Sequence, residues 1–114
     1  MIIVTAKIVF ASEQERDKAV TLSAPIQQLT RDQEPGCHAY CFAADPCDPV
    51  AIQVYELWEG SDSLVAHFDH ENYQSMLELL SQTGFVESIN RAYLTERNEP
   101  VYGDNFEKKT SFFD

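Results

Sequence analysis

The sequence predicts an α+β domain of βαββαβ order, the ferredoxin-like plan. Three observations predict it. Residues 2–10 and 50–58 alternate strictly between two faces, as strands do, whereas residues 12–33 and 61–83 carry capping signals and helical spacing. The run Asp45-Pro46-Cys47-Asp48-Pro49 consists of turn formers between two strand-like segments and closes a hairpin. A chain of 114 residues with 44% hydrophobic content is long enough for one domain with one core.

In the first strand, Ile2, Val4, Ala6, Ile8 and Phe10 share one face, and Ile3, Thr5, Lys7 and Val9 the other. Ser12 and Glu15 have the spacing of a capping box and open the first helix. Ala19, Leu22, Ile26 and Leu29 recur at three and four, which predicts its buried stripe, with Pro25 expected to kink or interrupt it. Glu34-Pro35-Gly36 ends the helix, because glycine suits a left-handed cap and proline cannot continue the helix.

The second strand, residues 37–45, places His38, Tyr40 and Phe42 on one face and Cys37, Ala39 and Cys41 on the other. The third sets Val50, Ile52, Val54, Glu56 and Trp58 against Ala51, Gln53, Tyr55 and Leu57. Ser61 is expected to cap the next helix. Leu64, Val65 and Phe68 form its apolar stripe, and Tyr73, Met76, Leu77 and Leu80 continue it after a break near residues 69–72. Gly84 stops it, and residues 85–96 form the fourth strand. The domain is therefore expected to span residues 1–96, with 97–114 a polar C-terminal tail carrying late aromatics.

Both faces of the first and third strands are largely apolar, although the chain has helices enough to cover only one. A second copy packed sheet to sheet is the expected cover, since an exposed apolar face of several hundred Å² would otherwise aggregate. Nineteen acids against eight bases give a net charge of −11, which argues against nucleic acid and anionic membranes as partners. No apolar run approaches a membrane span, and the first ten residues lack the basic start of a signal peptide, so a cytoplasmic protein is expected. Cys37 and Cys41, four apart on a strand, lie about 13 Å apart, too far for a disulfide. Phosphate loops, Gly-x-Ser-x-Gly and Cys-x-x-Cys are absent.

Chemistry concentrates at the strand-to-helix corner Tyr55-Glu56-Leu57-Trp58-Glu59-Gly60-Ser61, with His67 on the helix beyond it. An imidazole titrating near neutrality suits proton abstraction from a phenol or enediol. The bland alternatives are a surface histidine, a structural ion pair for Glu56, and core filling by Trp58 and Tyr40. His67 and His70 at i, i+3 supply only two ligands, and nothing fixes a third, so no metal is assigned.

The run Glu34-Pro35-Gly36-Cys37, then Tyr40, Asp45-Pro46, Tyr55-Glu56-Leu57-Trp58 and Ala66-His67-Phe68 resembles the antibiotic biosynthesis monooxygenase domain, most closely its quinol-monooxygenase-like branch. The resemblance covers residues 1–96. It implies a dimeric α+β barrel made of two ferredoxin-like subunits. It also implies oxidation of a small aromatic or quinol by O₂ without flavin, haem or metal. Positions that carry Asn, Trp and His in haem-degrading relatives hold Ala6, His67 and Leu77 here. The Asn of polyketide-ring oxidases is Val54, and a second His of quinol-type members is Asn72. On this reading His67 is the catalytic base, Glu56 its orienter, and Trp58, Tyr40 and His38 the substrate-binding groups. Two other functions fit the same residues: isomerisation of a small phosphorylated sugar-derived signal, and ligand binding by a non-catalytic dimer.

Overall fold

The computed structural model describes residues 1–114. The strands are β1 (Ile2–Phe10), β2 (Cys37–Ala44), β3 (Ala51–Trp58) and β4 (Phe85–Leu94). Helix α1 (Glu13–Gln33) joins β1 to β2, and α2 (Ser61–Phe68) and α3 (Glu71–Gln82) lie between β3 and β4. The sheet order is β2-β3-β1-β4, antiparallel throughout. This is the ferredoxin-like strand order.

The expected barrel is not formed. The sheet is open, with β2 and β4 at opposite edges. Four strands are too few to curl round and meet, since small closed barrels need about eight. The molecule described is also a single copy rather than a dimer.

The alternation of β1 and β3 has the predicted consequence. Ala6, Ile8, Phe10, Ile52, Val54 and Trp58 are buried on the inner face, together with Tyr40 and Phe42 of β2 and Met76 of α3. Ala51, on the opposite parity, is buried too. The break between the last two helices also falls where the spacing predicts it. His70 begins α3, its Nδ1 accepting the Asn72 amide hydrogen at 3.0 Å.

Three local expectations need correction. First, α1 buries Arg16, Ala19, Ser23, Gln27 and Thr30, while Leu22 and Leu29 are exposed. The polar side chains are accepted inside because they find backbone partners. Gln27 Nε2 donates to the Phe42 carbonyl (3.2 Å) and its Oε1 accepts from the Phe42 amide (2.9 Å). Arg16 donates to the carbonyls of Asp48 (3.1 Å) and Ala51 (3.0 Å). Second, α1 runs unbroken through Pro25. Thr21, whose carbonyl loses its helical donor there, lies on the exposed side with Pro25, where water can replace the bond. Third, the helix after β3 is capped by Gly60 rather than Ser61. Ser63 Oγ accepts from the Gly60 amide (3.2 Å) and donates to its carbonyl (2.9 Å).

That turn packs against the end of α1. Gly36 has φ +83°, and a Cβ there would lie 2.6 Å from Ser63 Cβ. Gly36→Ala therefore combines left-handed strain with a clash and is expected to destabilise the protein by about 1–3 kcal/mol, read as a lower midpoint in urea unfolding.

Beyond β4, residues 97–114 form a 3₁₀ turn at Asp104–Phe106 and an isolated bridge between Tyr102 and Lys108. Glu99 accepts the Phe113 amide at 2.6 Å and pairs with Lys109 at 3.3 Å. No helix is long and apolar enough to cross a membrane.

Candidate functional site

The inner face of the sheet is only partly covered by α2 and α3, and the gap is a cavity of about 530 Å³. Val4, Ala6 and Ile8 of β1, Phe42 of β2 and Val54 of β3 form its floor. Leu64, Phe68, Tyr73, Met76, Leu77 and Leu80 form its helical wall, and Phe85, Ser88, Asn90 and Ala92 its side along β4. The sheet residues face it because they share one parity. The helical residues face it because they recur at three and four.

The polar residues that interrupt this apolar lining are Tyr40, Glu56 and His67 on one side, and Ser81, Ser88, Asn90 and Arg91 toward α3 and β4. Tyr40 and Glu56 are direct cross-strand partners. The Tyr40 and His67 rings lie 5.4 Å apart, edge to face. Every fully enclosed side-chain nitrogen or oxygen has a hydrogen-bond partner. The Tyr40 hydroxyl, Glu56 Oε2 and His67 Nε2 have no protein partner, so each opens onto the cavity its residue lines.

Trp58 is wholly buried behind this group rather than in the cavity wall. Its ring lies 4.7 Å from that of His67, and its indole N–H donates to Glu56 Oε1 at 2.8 Å. Glu56 is thus held by Trp58. The carboxyl group bonded to His67 is Glu34, at the end of α1, with Oε1 2.7 Å from His67 Nδ1. Its other oxygen accepts from Asn72 Nδ2 at 3.1 Å. His38 stands apart. A β-bulge between Cys37 and Ala39 turns it outward, where it is exposed and paired with Glu59. It therefore does not join Tyr40 and Phe42 on the inner face. His70 caps α3, and no group of three or more His, Cys, Asp or Glu side chains is placed to hold a metal ion.

Burial sets the electrostatics. Desolvation raises the Glu56 carboxyl to about 7, partly offset by the Trp58 hydrogen bond, with the charge of Glu34 adding to the rise. Desolvation lowers His67 below its ordinary value against the opposing hydrogen bond and charge of Glu34. It also drives Tyr40 well above a normal phenol. At neutral pH the cavity therefore presents a neutral imidazole, a carboxyl group near its midpoint and a phenol that keeps its proton. Such a set can accept a proton from an acidic ring substituent and hold the resulting anion by hydrogen bonds.

Glu34 and Asn72 were not singled out by sequence reasoning. Glu34 reads as part of a helix-ending turn, and its partner lies 33 residues away. The available signal was its place immediately before Pro35-Gly36, which pins the side chain at the base of the His67 helix.

A family model described as antibiotic biosynthesis monooxygenase matches residues 1–79. No curated protein matches the sequence. Among solved structures, a candidate antibiotic biosynthesis monooxygenase from Deinococcus radiodurans is similar at TM-score 0.79 and 22% identity, covering 90% of this chain and 100% of that one. A candidate member from Caulobacter crescentus CB15 aligns at TM-score 0.74 and 14% identity, over 84% and 91% of the two chains. Another from Nitrosomonas europaea aligns at TM-score 0.70 and 14% identity, over 83% and 98%. At these identities the structural likeness bears on the fold alone.

Proposed function

The chain belongs to the antibiotic biosynthesis monooxygenase family, and from that premise we propose that it oxidises a small aromatic or quinol in the cavity with O₂, the substrate supplying the electrons. The observation that carries this reading is the convergence of His67 Nε2, Glu56 Oε2 and the Tyr40 hydroxyl on one largely apolar cavity. A planar ring fits such a lining better than a phosphorylated sugar does, because Arg91 on β4 is the single Lys or Arg along it.

In this mechanism His67 Nε2 takes a proton from a ring hydroxyl. The anion, poorly solvated among Val4, Ala6, Val54 and Met76, gives up electrons to O₂ readily. For a quinol the balance is one O₂ consumed, one oxygen atom added to the ring, the ring oxidised by four electrons to a hydroxyquinone, and one water released. Glu56 in its protonated form donates a hydrogen bond to the anion, and Tyr40 donates another. Trp58 backs His67 and Glu56 and shapes the pocket from behind. Oxygen uptake above spontaneous autoxidation, with a panel of small quinols, tests the reading. No uptake with any of them removes it in favour of ligand binding without turnover.

We also propose that a second copy covers the outer sheet face. Tyr55, Ile89 and Tyr93 are exposed there, and Ile3 and Leu57 are only partly covered. Sedimentation is expected to give twice the monomer mass at micromolar concentration, and a well-folded monomer there excludes this cover.

A further inference from the structure

We propose that Glu34, anchored by Asn72, is a positioning residue that fixes the tautomer of His67 and leaves Nε2 as the proton acceptor facing the cavity. The inference deepens, and rests on, the reading of His67 as the base. It adds the means by which that base is prepared.

The geometry has three parts. Glu34 stands at the C-terminal cap of α1, in extended backbone, its amide bonded to the Thr30 carbonyl. The residue is 7% exposed, and His67 only 3%. Each oxygen of its carboxyl group has a separate partner: His67 Nδ1 at 2.7 Å on Oε1 and Asn72 Nδ2 at 3.1 Å on Oε2. Asn72 Nδ2 also reaches Gln33 Oε1 at 3.4 Å, so two consecutive residues of the helix end hold the same amide.

The donor inventory gives this arrangement a direction. An amide NH₂ can only donate, so Oε2 is an acceptor. A carboxylate at Oε1 likewise accepts, which places the hydrogen of a neutral imidazole on Nδ1. Nε2 then carries the lone pair, and Nε2 is the nitrogen without a protein partner. When Nε2 takes a proton, the positive charge forms beside a carboxylate already in place, with no reorganisation. Nδ1 keeps its hydrogen throughout, so no proton passes to Glu34. The Trp58 and Tyr73 rings, at 4.7 and 5.3 Å, pack against the imidazole from two sides.

The ionisable groups around His67 are Glu34 from α1, Tyr40 from β2, Glu56 from β3, and His70 and Tyr73 from the helical pair. Of these only Glu34 is bonded to the imidazole. His70 Nδ1, 3.8 Å from Glu34 Oε2, is occupied as acceptor of the Asn72 amide.

The test is a two-bond ¹H–¹⁵N correlation spectrum of the ¹⁵N-labelled full chain, followed through a pH titration. Wild type is expected to show His67 with its proton on Nδ1. In Glu34→Gln the shape is kept but the charge is removed, and the His67 titration is expected to fall by about one to three pH units. Asn72→Ala should move it in the same direction by less. Quinol oxidation by Glu34→Gln is expected to lose about 10- to 100-fold in kcat with KM little changed, and its acid limb should move to lower pH. A wild-type His67 protonated on Nε2 overturns the inference, as does a titration unchanged in Glu34→Gln. If the spectra behave as expected but wild type oxidises no quinol, the proposed activity fails while the tautomer assignment stands. The wild-type spectrum decides the matter even if a variant does not fold.

Discussion

His67→Ala is expected to slow oxygen-dependent turnover of a small quinol by about 10²–10⁴-fold, the usual contribution of a positioned proton acceptor. Electron release to O₂ requires the deprotonated ring, and His67 presents the one imidazole nitrogen that opens on the cavity. The loss should appear in kcat and kcat/KM together, because the interaction is made as the proton moves. Truncation also leaves Glu34 short of a partner and opens space beside Trp58, so a cost of about 1–3 kcal/mol in stability accompanies it. Circular dichroism and sedimentation must therefore show the variant folded before rates are compared. His67→Gln, which fills more of the space, separates a packing defect from a missing base: only loss of the base leaves both variants slow. Oxygen consumption equal to wild type above the autoxidation background in either variant excludes His67 as the base.

Glu56→Gln is expected to change the pH dependence of both stability and activity. The folded carboxyl group titrates at about 7 against an ordinary 4.5. Between those values the folded protein holds a proton that the unfolded chain has lost, so stability falls as pH rises through that window. Below it the protein buries a neutral acid; above it, a carboxylate. The difference is about 3 kcal/mol at full ionisation. Glutamine cannot ionise and still offers an oxygen to the Trp58 indole. Urea unfolding should therefore show Glu56→Gln more stable than wild type by up to about 3 kcal/mol at pH 9, with the advantage vanishing near pH 4. A difference independent of pH would show that the carboxyl group titrates normally. In kinetics, wild-type kcat/KM should fall above pH 7 as the hydrogen-bond donor is lost, and Glu56→Gln should retain activity with that limb removed. If the variant is inactive at every pH, Glu56 rather than His67 accepts the proton.

The parts of this architecture legible in the sequence are those set by local periodicity. Strands β1 and β3 alternate because one face packs on the helices, and the inner set Ala6, Ile8, Ile52, Val54 and Trp58 follows from parity alone. The break before α3 was also visible, because the apolar spacing fails there. What stayed hidden depends on pairing between distant segments. Helix α1 buries Gln27 and Arg16 because strand and loop carbonyls and the Phe42 amide need partners, and Ser23 and Thr30 because their hydroxyls donate to the helix's own Val20 and Ile26 carbonyls. An apolar-stripe pattern instead selects Leu22 and Leu29, which face outward. A single bulged residue removes His38 from the cavity face, and no propensity marks a bulge of that kind. The site was half visible. His67, Glu56 and Tyr40 could be named as chemically unusual in an apolar setting. Glu56 and Trp58 lie two apart on β3, and that pairing becomes evident only once both side chains are known to be buried; the pairing of Glu34 with His67 joins residues 33 apart and follows from tertiary packing.

The polar face of α1 also has a consequence for how copies of this sheet can meet. Gln27 occupies both backbone groups of Phe42, and Arg31 Nε donates to the Tyr40 carbonyl at 2.7 Å. Those are outward-pointing groups of β2, so α1 occupies the middle of this rim with side chains. A strand arriving there would first have to displace Gln27 and Arg31, whereas no side chain bonds to the backbone of β4 at the opposite rim. The helix thus makes the two edges of one sheet unequal as templates, and edge-to-edge association is expected to favour β4.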